Sequence, residues 1–197
     1  MCRWYLLNRD HCSFQYFRII LLFMMVTKLT FAAVLQLISE TNLSGDAVVD
    51  LSKIVQTIET TMDGTSGALY AIFLNSLAHA LRQAPPGDAT PQIWATALQK
   101  ASKSLGNYTP AQPGDRTLVD ALYPFVETLN STGDLKKAAE ASRKGAEGTK
   151  GMKASLGRTV YIGGSGFEQV PDPGAWGLSE FFLGLAGLKS DSDYELV

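Results

Sequence analysis

The amino-acid sequence predicts an all-α protein built as an antiparallel bundle or barrel of helices, and three observations lead there. Apolar residues recur at three- and four-residue spacing along most of the chain after residue 33. Caps and breakers, chiefly Asp, Thr, Gly and Pro, divide that pattern into segments of ordinary helix length. No stretch longer than Arg158 to Gly163 alternates in the manner of a strand.

The elements follow in order. Leu51, Ile54, Val55, Ile58 and Met62 share one face of a helix expected over Asp46 to Met62, with Ser44 or Asp46 available to cap it. Asp63-Gly64 ends it. A second, more buried helix runs from Ser66 to Gln83, carries Leu69, Ile72, Phe73, Leu77 and Leu81, and stops at Pro85-Pro86. Thr90 and Pro91 supply the cap and first-turn proline of a third, which bears Ile93, Trp94, Ala97, Leu98 and Leu105 and has Gly106 just past its end. The fourth follows Asp115, with Leu118, Val119, Leu122, Phe125, Val126 and Leu129 on one face despite Pro124. The fifth is expected from Asp134 to about Lys153. Its inner face holds Ala138, Ala141, Gly145 and Gly148, small residues that let helix axes approach closely. Asp172-Pro173 opens a sixth through Trp176, Leu178, Phe181, Phe182, Leu185 and Leu188. Short connections between them make successive helices antiparallel neighbours.

The chain of 197 residues is long enough for one core of ordinary size. It is 46% hydrophobic and 18% charged with a formal net charge of -2, so it lacks the basic excess of a nucleic-acid binder. Both cysteines, Cys2 and Cys12, lie in the first dozen residues, which leaves the body no thiol for a disulfide or a zinc site. A cytoplasmic body is expected.

Residues 1–32 differ from everything after them and read as an atypical hydrophobic leader, poorly ordered or foreign to the domain. The run Ile19 to Val26, bounded by Arg18 and Lys28, falls far short of the roughly 20 apolar residues of a membrane-spanning helix. Its length instead fits the apolar region of a signal peptide, although Ala32-Ala33 makes a poor cleavage site. Sequons at Asn42, Asn107 and Asn130 would accept glycans in a secreted chain. Secretion or membrane association through residues 1–32 is therefore the alternative location. The expected organisation is a leader over 1–32, a helical domain over 33–190 and a polar tail over 191–197.

Several connections carry residues suited to a ligand. Gly64-Thr65-Ser66-Gly67 opens a helix, where unpaired backbone N–H groups and the helix dipole attract phosphate; an ordinary glycine-rich cap is the plainer reading. Asp115 caps the fourth helix or pairs with Arg116. Arg158 can form forked hydrogen bonds with phosphate oxygens. Asp172-Pro173-Gly174 combines a rigid turn, a carboxylate and a close-approach glycine, and also reads as a simple helix start. Trp94 and Trp176 belong to apolar faces, and His79 to a helix surface rather than to a catalytic base.

Taken in order, Met62-Asp63-Gly64-Thr65-Ser66-Gly67-Ala68-Leu69-Tyr70, Pro113-Gly114-Asp115-Arg116-Thr117-Leu118-Val119-Asp120-Ala121-Leu122, Thr149-Lys150-Gly151-Met152, Ala154-Ser155-Leu156-Gly157-Arg158 and Pro171-Asp172-Pro173-Gly174-Ala175 resemble the motif series of the DhaL-type nucleotide-binding domain of dihydroxyacetone (glycerone) kinases. The resemblance covers nearly all of residues 33–188 and is strongest to the C-terminal half of fungal single-chain enzymes. It implies a barrel of about eight helices, of which this chain supplies roughly six, with ATP bound in a loop-lined cleft at one end. The implied nucleotide contacts are Gly64, Thr65, Ser66, Thr109, Thr117, Leu118, Arg158, Asp172, Pro173 and Gly174; no catalytic residue is assigned.

The implied activity is phosphoryl transfer from ATP to dihydroxyacetone in glycerol catabolism, the substrate being held through a histidine on a separate domain that this chain does not contain. ATP or ADP, that substrate domain and a second copy in a homodimer are the expected partners; nucleic acid and membrane are not. In the family Mg²⁺ is held by three aspartates of a loop preceding the helix that begins here near Ala32. That loop is missing, so no metal ligand is assigned. Asp10 stands alone between Arg9 and His11, and Asp191 and Asp193 lie at the opposite end of the domain. The expectation is an N-terminally truncated kinase domain that is impaired alone. The alternative is a catalytically inactive nucleotide- or lipid-binding or interaction module derived from it.

Overall fold

The fold is described from a computed structural model for residues 30, 32–40, 44–85, 90–156 and 167–189. All extended regular structure among them is helical: α1 (32–40), α2 (Ala47–Thr61), α3 (Gly64–Arg82), α4 (Pro91–Leu105), α5 (Val119–Thr132), α6 (Leu135–Gly148) and α7 (Pro173–Leu185), with a single 3-10 turn at Phe167–Gln169. The leader up to residue 29, the sequon residue Asn42 and the tail from 190 onward lie outside the described residues.

Capping chemistry places most helix starts where the sequence puts them. Asp46 accepts from the amides of Val48 and Val49, Thr90 from Ile93, Asp134 from Lys136 and Lys137, and Asp172 from Ala175. Each cap satisfies N–H groups that the helix itself cannot.

Two boundaries differ most from expectation. Asp115 does not cap α5, which starts only at Val119 with Leu118 as its N-cap. The buried carboxylate of Asp120, inside the first turn, instead accepts from the amides of Gly114 and Thr117 and folds the preceding loop back on the helix. Further on, α6 stops at Gly148 rather than near Lys153, because Gly151 turns to φ 84° and its amide donates to the carbonyl of Glu168. A tertiary bond thus replaces the last helical turn.

Sequence neighbours pack in series from α2 to α7, and α5 also meets α7. Two-residue links, Met62-Asp63 and Gly133-Asp134, make tight hairpins of α2–α3 and α5–α6. At the second, Gly133 takes a left-handed φ of 66° and returns its amide to Leu129. The core is centred on Phe125, 1% exposed, whose ring stacks on Phe182 of α7 at 3.7 Å. Trp94 and Trp176 pack against this core, as expected. Trp176 also carries the guanidinium of Arg143 over its ring at 3.8 Å, while that guanidinium bonds Ser179 and Glu180 and ties α6 to α7. His79 is exposed and pairs with Gln83 one turn on.

Candidate functional site

Because successive helices reverse direction, the α2–α3, α4–α5 and α6–α7 connections collect at one end of the bundle. Direct contacts bear this out for the last two. Ser155 donates its hydroxyl to the carboxylate of Asp115 at 2.8 Å. Arg116 donates to the carbonyl of Val170 at 2.8 Å and to that of Met152 at 3.4 Å. At Gly174 a β-carbon would lie 3.6 Å from the β-carbon of Leu118, so the start of α7 abuts the start of α5.

On α3, Tyr70 lies close enough to Asp172 to feel its charge. It lies four residues after Ser66, hence on the same helix face. Burial of the phenol, reinforced by the negative charge of Asp172, pushes its pKa up to about 12. Asp172 is pushed above the ordinary carboxylate range mainly by burial. Its bond from the Ala175 amide and the charge of Arg116 oppose that shift, and the charge of Asp120 adds to it. Asp115 is held low instead, because the Gln112 amide and the Ser155 hydroxyl donate to it.

The α3 N-terminus is chemically open. Asp63, its N-cap, makes no side-chain cap bond, in contrast to the caps of α2, α4, α6 and α7. Gly64 sits at φ 78° with nothing within 4 Å of where a β-carbon would be, and Thr65 is exposed beside half-buried Ser66. Gly67 closes the turn from below: a β-carbon there would fall 1.8 Å from the Met62 carbonyl oxygen. Only glycine fits between α2 and α3 at that point.

Of the residues the resemblance singled out, the structure brings Thr117, Leu118, Asp172, Pro173 and Gly174 into one neighbourhood, while Gly64, Thr65 and Ser66 stand at the start of α3. Thr117 hands its amide to Asp120 and accepts the Val119 amide on its hydroxyl at 3.2 Å. The Thr109 hydroxyl is used within its own turn, accepting from Ala111 at 3.2 Å. Arg158 lies outside the described residues. Sequence reasoning passed over Arg116, Tyr70 and Thr149 as parts of this neighbourhood. Nothing local marks Arg116, whose partners are 36 and 54 residues away.

The carboxylates gathered here do not fit a magnesium ion. Among the described residues no three His, Cys, Asp or Glu side chains converge on a common point. Asp120 is occupied by two amides, Asp115 by an amide and a hydroxyl, and half-buried Asp172 by the α7 cap. A hard divalent cation requires several free oxygens.

Comparison with known proteins covers the helical body as a whole. The profile of the family described as DAK2 domain matches residues 25–187. Dihydroxyacetone kinase of Pichia angusta is 45% identical over 152 residues, which are 72% of this chain and 25% of that protein. Dihydroxyacetone kinase of Komagataella pastoris is 38% identical over 175 residues, 83% of this chain and 29% of that one. The chain therefore spans between a quarter and a third of the length of these relatives. Among solved structures, the dihydroxyacetone kinase from C. freundii in complex with AMP-PNP and Mg²⁺ superposes with a TM-score of 0.62 at 26% identity, covering 82% of this chain and 28% of that one.

Proposed function

The chain belongs to the DAK2 domain family, and from that premise we propose that it is the nucleotide-binding domain of a dihydroxyacetone kinase, receiving the phosphates of ATP or ADP at the start of α3. The observation that carries this reading is the uncapped helix start at Gly64, Thr65 and Ser66, which antiparallel order puts at the end of the bundle where Leu118 meets Gly174. Those first amides have no intrahelical partner and point along a positive dipole end, so an anion takes the place a cap would fill. The hydroxyls of Thr65 and Ser66 add donors.

Thr117, Leu118, Pro173 and Gly174 form the wall against which the nucleoside portion rests. Gly174 matters there because a larger side chain would occupy the space beside Leu118. Arg158 supplies the positive charge that the described loops otherwise spend on their own carbonyls.

In the reaction of the family the terminal phosphoryl group of ATP breaks its bond to the bridging oxygen, ADP departs, and the phosphorus bonds a hydroxyl oxygen of dihydroxyacetone, whose proton is released. Such transfer depends on holding donor and acceptor in line and on neutralising phosphate charge, the latter being what a magnesium ion supplies when bound. Because the described carboxylates do not fit that ion, the domain alone binds nucleotide while transferring phosphoryl slowly or not at all. The acceptor is presented by a separate substrate-binding domain, in a cytoplasmic enzyme.

Titration of the purified chain with ADP, with and without Mg²⁺, tests this reading, followed by an assay of dihydroxyacetone phosphorylation with an intact substrate-binding domain added. Saturable, metal-independent binding with little turnover is expected. Absence of any ADP binding would remove the proposal, and rapid Mg²⁺-dependent turnover would remove the impairment.

A further inference from the structure

Arg116 is the one non-glycine with a positive φ, 59°, among the described residues. A side chain with a β-carbon is disfavoured there, and glycine would hold the same turn without steric cost. The residue is nevertheless an arginine, and it is 3% exposed. A buried guanidinium has to be matched by acceptors, and two come from the α6–α7 connection: the carbonyl of Val170 for one terminal nitrogen and that of Met152 for the other. Met152 and Val170 stand near the two ends of the α6–α7 connection. Two residues beyond Arg116 is Leu118, and four beyond Val170 is Gly174.

Backbone held in a rarely populated conformation persists only where its surroundings enforce it, and such positions gather at ligand clamps. The turn at Arg116 aims the guanidinium inward, away from the direction that a helix start would give it.

Resting on the nucleotide-binding reading, we propose that Arg116 is a positioning residue: it latches the α6–α7 connection to the α4–α5 loop and thereby holds Leu118 against Gly174 as the wall on which the nucleotide rests. It acts through the two loops rather than on the nucleotide. A planar guanidinium can reach two carbonyls from one rigid fork, whereas a lysine ammonium can serve one well. Conversion to glycine would relax the turn and lose the latch.

The test is amide hydrogen exchange on the full chain without nucleotide, together with ADP affinity, for wild type, Arg116→Gln and Arg116→Lys. The amides of Gly151 and Asp172 report on the α6–α7 connection, since they bond the Glu168 carbonyl and the Thr149 hydroxyl. In Arg116→Gln both should exchange about tenfold faster and ADP should bind about tenfold more weakly, while α5 core amides stay at the wild-type rate. Arg116→Lys, which keeps the charge, should fall between and remains informative if the glutamine variant does not fold. Unchanged exchange at Gly151 and Asp172 would overturn the latch, as would faster exchange with undiminished affinity. If wild type itself fails to bind ADP, the nucleotide reading falls. The exchange rates then decide the latch by themselves, faster rates sustaining it and equal rates ending it.

Discussion

The hydroxyl of Thr149 accepts the backbone N–H of Asp172 at 2.7 Å while donating to the carbonyl of Ala146 at 2.6 Å. One fully buried side chain thus ends α6 and fixes the N-cap of α7, 23 residues later. The loop carrying Pro173 and Gly174 is held by this bond from one side and by Arg116 from the other.

Thr149→Val keeps the shape and removes both bonds. Leaving the Asp172 amide without its acceptor should cost about 1–3 kcal/mol, read from urea unfolding. A valine variant as stable as wild type would mean that this amide finds another acceptor.

Two glycines of α6 should behave oppositely. Pro124 has no N–H for the carbonyl of Asp120, and that oxygen lies 2.1 Å from where a β-carbon on Gly145 would be. Gly145→Ala must push α5 and α6 apart and should destabilise by roughly 1–3 kcal/mol. At Gly148 nothing lies within 4 Å, so Gly148→Ala should be neutral or stabilising by up to about 1 kcal/mol. Melting temperatures of the pair decide it; equal losses would place the helix contact elsewhere.

Asp172 sets a pH dependence. Its folded pKa lies above the ordinary value of 3.8 because burial disfavours the charged form. The folded state therefore holds the proton more tightly than the unfolded chain. The stability this confers is fully present below 3.8 and is lost as pH rises through the folded value. Asp172→Asn keeps a capping oxygen without the charge. Its stability relative to wild type should rise as pH increases across that window. A difference that does not vary with pH would contradict the burial of this carboxylate.

Gly174 probes the cleft more directly. Alanine adds a β-carbon 3.1 Å from the Asp172 carboxylate and 3.6 Å from Leu118, and valine would press further against both. Gly174→Val is expected to weaken ADP binding about tenfold or more, since small displacements at a ligand site have effects of that size. Thermal stability should change far less. Retained affinity would show that nucleotide does not rest against Leu118 and Gly174.

Much of the helical order is legible in the sequence because it is written locally. Asp46, Thr90, Asp134 and Asp172 each announce a helix, and the apolar spacing names Phe125, Leu129 and Phe182 as core. The start of α5 and the end of α6 are not legible. Asp120 and Gly151 answer to groups brought by other segments, not to propensity. The same holds at the cleft. Leu118 and Gly174 stand out through family motifs, while Arg116 looks like half of a local pair with Asp115 until the fold brings Val170 to it.

The most direct measurement is the change in backbone amide resonances as ADP is added to the chain without metal. Shifts concentrated at Gly64, Thr65 and Ser66, with Leu118 and Gly174 moving in step, are the expected result. Shifts confined to another surface, such as the groove between α3 and α4 lined by Ser76, His79 and Lys100, would contradict it.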